Sequence, residues 1–341
     1  MKILVIGDTH LRDSLSYSSY ISDGRVSEKR DILDFIVKSA EDCEHVVFMG
    51  DFFNSRNNSS ETNRSAVELL ERLEDKYVCI ISGNHEKKGD GKTAIDFLAE
   101  IKKDNWHIFT KPGVVSVGGE KKIKFDFLPY MLNSELEVEN YEEAAKKVVN
   151  ELEGGDILFA HHAISGTSFN GISVDTFNEM ILPRAELEKK YKLVVAGHIH
   201  TPQHEGRTLI TGSLFTSEVG EIEKFIFKID ESMTVEKLKV PAREIHKLEN
   251  PTIQELTKLP KNSIVKIVVT DKNINIDELE VVASGLDAHL IITDYPGERK
   301  KMKIEEGAFD FSIEALLKLY AKEKDIDYAK LIKGLELISN D

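Results

Sequence analysis

Lys2-Ile3-Leu4-Val5-Ile6-Gly7-Asp8-Thr9-His10 is the stretch from which the fold can be read. Ile3 to Ile6 is apolar without alternation and β-branched at Ile3, Val5 and Ile6, the pattern of a short strand buried on both faces. Gly7 breaks the run, and two side chains able to hold a metal follow at spacing i, i+2. In extended chain that spacing puts Asp8 and His10 on one side, just past the strand's carboxyl end. Open α/β sheets bind their ligands there. Alone, Gly-Asp-x-His is ordinary turn chemistry; its weight comes from repetition.

The pattern recurs along the chain. His45–Met49 leads into Gly50-Asp51-Phe52-Phe53. Tyr77–Ser82 leads into Gly83-Asn84-His85-Glu86. Asp156–Ala160 ends in His161-His162, and Leu193–Ala196 ends in Gly197-His198-Ile199-His200. Helical periodicity separates these strands: Ile32, Phe35, Ile36 and Ala40 behind a Ser27 N-cap, then about 61–75, 93–103, 141–152 and 183–190. A hairpin is expected from Val114–Val117 to Ile123–Leu128 across Gly118-Gly119. Strand-like runs at Arg207–Thr211, Lys224–Ile229 and Val235–Val240 follow. Strand–helix alternation closed by consecutive strands predicts an α/β fold, a four-layer αββα sandwich of two sheets between helices.

With 341 residues, the chain is too long for a single ordinary core. Its 41% apolar and 31% charged residues describe a soluble globular protein. The composition shifts after Val240-Pro241. Residues 1–243 are read as the main domain and 244–296 as a small α/β capping domain, entered through a connector at 244–261. Residues 297–310 read as a basic linker and 311–341 as two amphipathic helices. Cys43 and Cys79 form neither a metal knuckle nor a disulfide framework. No apolar run is long enough for a signal peptide or a membrane span, so a cytoplasmic setting is expected.

Five strand ends deliver Asp8 and His10, Asp51, Asn84 and His85, His161 with His162, and His198 and His200, oxygen and imidazole donors without sulfur, a set suited to Mn²⁺, Fe²⁺ or Zn²⁺. They exceed the needs of one ion and suit a pair about 3.5–4 Å apart, the spacing used for displacement at phosphorus. The net charge of −15 opposes broad attraction to nucleic acid. Two divalent ions among two carboxylates, neutral imidazoles and an amide would leave local positive charge for a phosphate. His162 reads as a neighbour shaping the pocket, and His45, His107, His204, His246 and His289 as structural or surface residues. Gly91-Lys92-Thr93 is no P-loop, because Glu86 stands where the first glycine is needed. His85-Glu86 is no zincin motif, because Gly89 stands where the second histidine is needed.

The motif order resembles that of the calcineurin-like metallophosphoesterases. More narrowly it resembles the SbcD-type double-strand-break repair nucleases, phage members included. Gly50–Phe53, Gly197-His198-Ile199-His200-Thr201-Pro202 and Gly212-Ser213-Leu214-Phe215-Thr216 carry the narrower match. The resemblance implies two divalent ions, Mn²⁺ by preference. Asp8, His10, Asp51 and His200 would hold one ion; Asp51, as bridge, would join Asn84, His161 and His198 at the other. His85 matches the non-ligand histidine that protonates the departing oxygen, with Glu86 orienting it. Asn54 stands where many relatives have a second histidine, which bears on the balance of exonuclease and endonuclease activity.

The implied function is a DNA exonuclease and endonuclease in the cytoplasm of a bacterium or a phage-infected host. Its partners would be duplex ends and single strands, a coiled-coil ABC-type ATPase gripped by 311–341, and a second copy of the chain. Leu69, Leu73, Phe97 and Ile101 would supply the dimer surface. Lys87, Lys88, Lys92, Arg299, Lys300, Lys301 and Lys303 are candidate phosphate contacts. The alternatives are a metallophosphatase or small phosphodiesterase, and a DNA-end-binding scaffold. The residues after Val240 count against the first, and the intact donor set against the second.

Overall fold

The computed structural model describes residues 1–13, 26–87, 91–101, 103–118, 122–216, 223–243, 245–261, 263–286 and 288–293. Met1–Asp294 form one compact unit and Tyr295–Asp341 another. The second unit lies outside the described residues, and with it Arg299, Lys300, Lys301, Lys303, the basic linker and both C-terminal helices. Lys88 lies outside them too.

The first half runs β1 (Lys2–Ile6), α1 (Val26–Ser39), β2 (His45–Phe48), α2 (Ser60–Glu71), β3 (Tyr77–Ile81), α3 (Asp96–Glu100) and β4 (Trp106–Phe109). It continues with β5 (Gly113–Val117), β6 (Ile123–Leu128), α4 (Asn133–Leu136), α5 (Tyr141–Glu151) and β7 (Gly155–Ala160). Two-residue strands then follow, β8 (Ala163–Ile164), β9 (Ser168–Phe169), β10 (Ile172–Ser173) and β11 (Ile181–Leu182). Next come α6 (Arg184–Lys190), β12 (Tyr191–Ala196), β13 (Gln203–Glu205), β14 (Thr208–Ile210), β15 (Phe225–Asp230) and β16 (Val235–Lys239). The last described elements are β17 (Ile245–Glu249), α7 (Ile253–Leu256), β18 (Ile264–Val268), α8 (Ile276–Gly285) and β19 (His289–Thr293).

Two six-stranded mixed sheets result, ordered β16-β15-β1-β2-β3-β4 and β13-β14-β12-β7-β6-β5. The strand pleat sorts their side chains into three cores. Ile3, Val5, Val47, Cys79 and Ile81 pack between the sheets against Phe125, Phe127, Ile157, Phe159, Leu193 and Val195. Their alternates Leu4, Ile6, Val46, Phe48, Val78 and Ile80 face Ile32, Ile36, Ala66, Leu69 and Leu70 of α1 and α2. On the far side, Leu158, Ala160, Val194 and Ala196 face Ala144 and Val148 of α5 and Leu187 of α6. Each central strand is thus buried on both faces, which is why the runs read as apolar without alternation. This is the αββα sandwich.

The differences from the sequence reading have local causes. Ser27 lies inside α1, and α2 is capped by Ser59, whose hydroxyl accepts the Thr62 N–H at 3.0 Å. The helix expected over 93–103 is confined to Asp96–Glu100. The stretch 244–261, expected as a connector, supplies β17, the edge of a third, parallel sheet ordered β17-β18-β19. Leu69 and Leu73, expected at a dimer surface, are buried in the chain's own core. Ile101 is exposed.

Candidate metal centre

The loops after β1, β2, β3, β7 and β12 converge at one edge of the sandwich. The loop after β1 is stitched to its neighbours through the backbone. His10 N–H donates to Asp51 O at 2.7 Å, and Asp8 N–H donates to Gly212 O at 3.0 Å. Leu214 N–H donates back to Asp8 O at 2.9 Å. Gly212-Ser213-Leu214, one of the stretches behind the narrower resemblance, therefore ties the two sheets together beside Asp8.

His10, Asp51 and His198 all take left-handed backbone angles, with φ of 45°, 43° and 74°. Non-glycine residues adopt that conformation at a cost, and clustering of such residues marks a functional site. The glycines of the motifs are needed for clearance. A Cβ on Gly83 would stand 2.0 Å from Asp51 Oδ1. One on Gly50, itself at φ +99°, would stand 2.2 Å from His161 Nδ1.

Two groups of donors emerge. In the first, His10 Nε2 and His200 Nε2 face each other at 3.0 Å. His200 Nε2 lies 3.6 Å from Asp8 Oδ2, and His10 Nε2 lies 3.9 Å from Asp51 Oδ2. In the second, Asn84 Oδ1 lies 3.2 Å from His161 Nε2 and 3.0 Å from His198 Nδ1. Asp51 Oδ2 stands 3.4 Å from the same His161 Nε2. Asp51 thus takes part in both groups, as a bridging carboxylate must.

The hydrogen-bond partners of the two rings show that the donors fit cations. His161 Nδ1–H donates to Met49 O at 2.6 Å, leaving Nε2 to face Asn84 Oδ1 and Asp51 Oδ2. His198 Nε2–H donates to Glu179 Oε2 at 2.7 Å, leaving Nδ1 to face Asn84 Oδ1. An ionised carboxylate and a carbonyl oxygen only accept, and a neutral imidazole carries one proton. Each of these rings therefore meets acceptors on both nitrogens, an arrangement that calls for a proton or a metal on the second nitrogen. Protonation directions agree. Burial and the neighbouring Asp51 carboxylate raise the Asp8 carboxyl, against the pull of His161 and His200. Burial would also raise Asp51, but His161, His10 and His85 outweigh it and hold Asp51 below the usual range. Burial lowers His161, yet Asp51 and Asp8 overcome that and lift it to about 10. Burial takes His10 down to about 3. Two buried carboxylates thus draw positive charge onto His161, the charge that divalent ions would supply.

His85 stands at the rim, exposed, with Nδ1–H donating to Asn54 O at 3.0 Å and Nε2 at 4.0 Å from Asp51 Oδ2. Its main-chain N–H donates to Asp51 Oδ1 at 2.9 Å. Glu86 is buried, and its oxygens accept the N–H groups of Phe53 at 2.9 Å and Gly83 at 2.7 Å. It joins the two loops that frame His85 rather than holding the imidazole itself. Burial and Asp51 raise its carboxyl to about 8.

Lys87 does not meet its expected role as a phosphate contact. It is buried, with Nζ donating to Glu135 at 2.8 and 3.1 Å, because the turn after His85 folds inward against α4. Lys92 is exposed. Among the described residues, Arg56 is an exposed cation beside His85, in a cleft of about 480 Å³ lined by Asn54, Ser55, Arg56, Asn57, Asn84 and His85. A second cleft, of about 340 Å³, reaches His198 and His200 and is walled by Phe169, Phe177, Asn178, Glu179 and Ile199. Sequence reading missed Arg56, although it sits three residues after Phe53 in a motif already singled out. It missed Glu179 as well, which lies among short strands that carry no periodicity.

Among solved structures, a candidate 5'-nucleotidase from Staphylococcus aureus, crystallised with alpha-ketoglutarate, is similar at 14% identity and a TM-score of 0.41. The match covers 70% of this chain and 53% of that one, so this chain spans about half that protein's length. Residues 1–202 match the calcineurin-like phosphoesterases, a stretch that includes every donor described above, and the chain belongs to that family.

Proposed function

We propose that the chain is a two-metal DNA phosphodiesterase with exonuclease and endonuclease activity. In this reading it is the nuclease partner of a coiled-coil ABC-type ATPase, and two copies pair in the working assembly. The family supports a metal-dependent phosphoester hydrolase. The observation that carries the step from phosphoester to DNA is the pair of clefts, one reaching the centre at Asn84 and His85, the other at His198 and His200. A monoester needs room on one side of its phosphorus, whereas a nucleic-acid strand continues on both. The ATPase, the pairing and Mn²⁺ rest on the resemblance of the motifs.

Asp8, His10, Asp51, Asn84, His161, His198 and His200 would hold the divalent ions, which would supply Lewis-acid stabilisation of charge on a phosphoryl group. The remaining work falls to the chain itself. Arg56 pairs with backbone phosphate in the polar cleft. His85, its Nδ1–H fixed on Asn54 O, presents Nε2 toward the centre and, in its imidazolium form, passes the Nε2 proton to the departing oxygen, leaving the neutral ring with Nδ1–H still on Asn54 O. The test is the full chain with Mn²⁺ against labelled duplex, labelled single strands, a chromogenic phosphodiester and a chromogenic monoester. Cleavage of single strands and diester ahead of monoester is expected. Fast monoester hydrolysis without DNA cleavage would replace this reading with a phosphatase, and DNA binding without any hydrolysis would replace it with a scaffold.

A further inference from the structure

The geometry points to Glu179 as a positioning residue for the metal centre: its carboxylate holds His198 so that Nδ1 joins Asn84, His161 and Asp51 around one of the two ions. The inference rests on the two-ion reading above.

His198 is fixed at three points. Its main-chain N–H donates to both Asp8 oxygens, at 3.1 and 3.0 Å. Its Nε2–H donates to Glu179 Oε2 at 2.7 Å, and its Nδ1 lies 3.0 Å from Asn84 Oδ1. Of these, only the Glu179 contact decides which ring nitrogen keeps the proton. A carboxylate on Nε2–H leaves the lone pair on Nδ1 and fixes the orientation of the ring, the usual use of a carboxylate behind a metal-binding imidazole. His161 receives the same treatment from the Met49 carbonyl, a neutral acceptor. Both side chains of the His198–Glu179 pair are largely withdrawn from water, at 14% and 20% exposure, so this is no loose surface ion pair.

The segment carrying Glu179 is built to keep it in place. Met180 beside it is buried in the outer core. The next two residues form β11, which pairs in parallel with β8 just after His161-His162. The β9–β10 hairpin is clamped to the chain beyond His200: Ser168 N–H donates to Gln203 Oε1 at 2.9 Å and Asn170 N–H to Thr201 Oγ1 at 3.1 Å. Residues 163–182 therefore buttress the loop that bears His198 and His200.

Metal-free full-length wild type, Glu179→Ala and Glu179→Gln should be titrated with Mn²⁺ by calorimetry. The spin-coupled Mn²⁺ pair should be followed by electron paramagnetic resonance, and the metal-free thermal midpoints compared to control for folding. Wild type is expected to bind two ions. Glu179→Ala should weaken one of them about 10–100-fold and lose the coupled signal, with the other ion retained. Glu179→Gln still offers an oxygen to Nε2–H and should recover most of the loss. Wild-type affinity for both ions in Glu179→Ala would overturn the inference. So would a Gln variant as damaged as the Ala variant, which would make Glu179 a direct ligand. Wild type binding fewer than two ions would instead overturn the two-ion reading beneath it.

Discussion

His85 is oriented by a main-chain atom: its Nδ1–H donates to the carbonyl of Asn54 at 3.0 Å, so the Asn54 side chain has no part in that contact. Replacing Asn54 with Ala should therefore leave His85 in place. His85→Ser should retain both metals and DNA binding while losing about 10²–10⁴ in cleavage rate, the scale of a general acid. His10, Asp51 and His85 also lie close enough to share an ion. Metal content measured on His85→Ser separates the roles, since loss of an ion would make His85 a ligand.

Asp51 belongs to both donor groups, and Gly83 leaves the space its carboxylate occupies. Asp51→Asn should abolish cleavage and lower metal content, read by elemental analysis after dialysis. Gly83→Ala places a methyl 2.0 Å from Asp51 Oδ1, and at least a tenfold loss of metal affinity is expected without any donor having been changed. A Gly83→Ala protein with wild-type affinity would show that the loop gives way instead.

Lys87 and Arg56 should behave oppositely. Lys87→Ala removes a buried cation from Glu135 and is expected to lower stability by about 1–3 kcal/mol in denaturant titration, with DNA affinity unchanged. Arg56→Ala should leave stability alone, weaken binding of any DNA sequence, and reduce the slope of log affinity against log salt by about one.

Burial pushes the thiols of Cys43 and Cys79 up to about 11 and about 12. Both should resist iodoacetamide at pH 8 in the native protein and react once it is unfolded. The unfolded chain ionises these thiols first, near their ordinary pKa of about 8.5. Their contribution to stability is thus complete below that pH and declines as pH rises toward 11–12. Replacing Cys79 with Ala should flatten that decline in urea midpoints measured across pH 8 to 10.

The strands that carry the donors were legible because each announces itself locally, as an apolar run cut by a glycine and followed by Asp, Asn or His. β4 was not, since Trp106–Phe109 is a short edge strand with no such ending. β17 was hidden for a related reason: His246 and Lys247 interrupt its apolar residues. The fate of Lys87 depended on Glu135, 48 residues away, and the proton on His198 depended on Glu179. Such pairings exist only once the chain has folded, so no spacing along the sequence encodes them. Glu86 falls between these cases: its place beside His85 was visible, but its two acceptors serve Phe53 and Gly83.

Asp8, His10, Asp51 and Asn84 hang from one sheet of the sandwich, and His161, His198 and His200 from the other. An ion bound among them is therefore a cross-link between halves of the chain that are distant in sequence, closed by chelation instead of by a covalent bond. It binds the native form and has no comparable site in the unfolded one, so loading should raise the unfolding free energy by RT ln(1 + [M]/Kd), about 2.7 kcal/mol when free ion is a hundred times Kd. Stripped of metal, the two sheets would still be joined at this edge by the Asp8–Gly212 and Asp8–Leu214 backbone bonds, the Tyr130 N–H on Ser82 O, the His161 ring on Met49 O and the His198 N–H on Asp8, so the metal adds to an existing seam. Chelators should then act on this protein as mild denaturants, broadening its melting transition as well as silencing its chemistry.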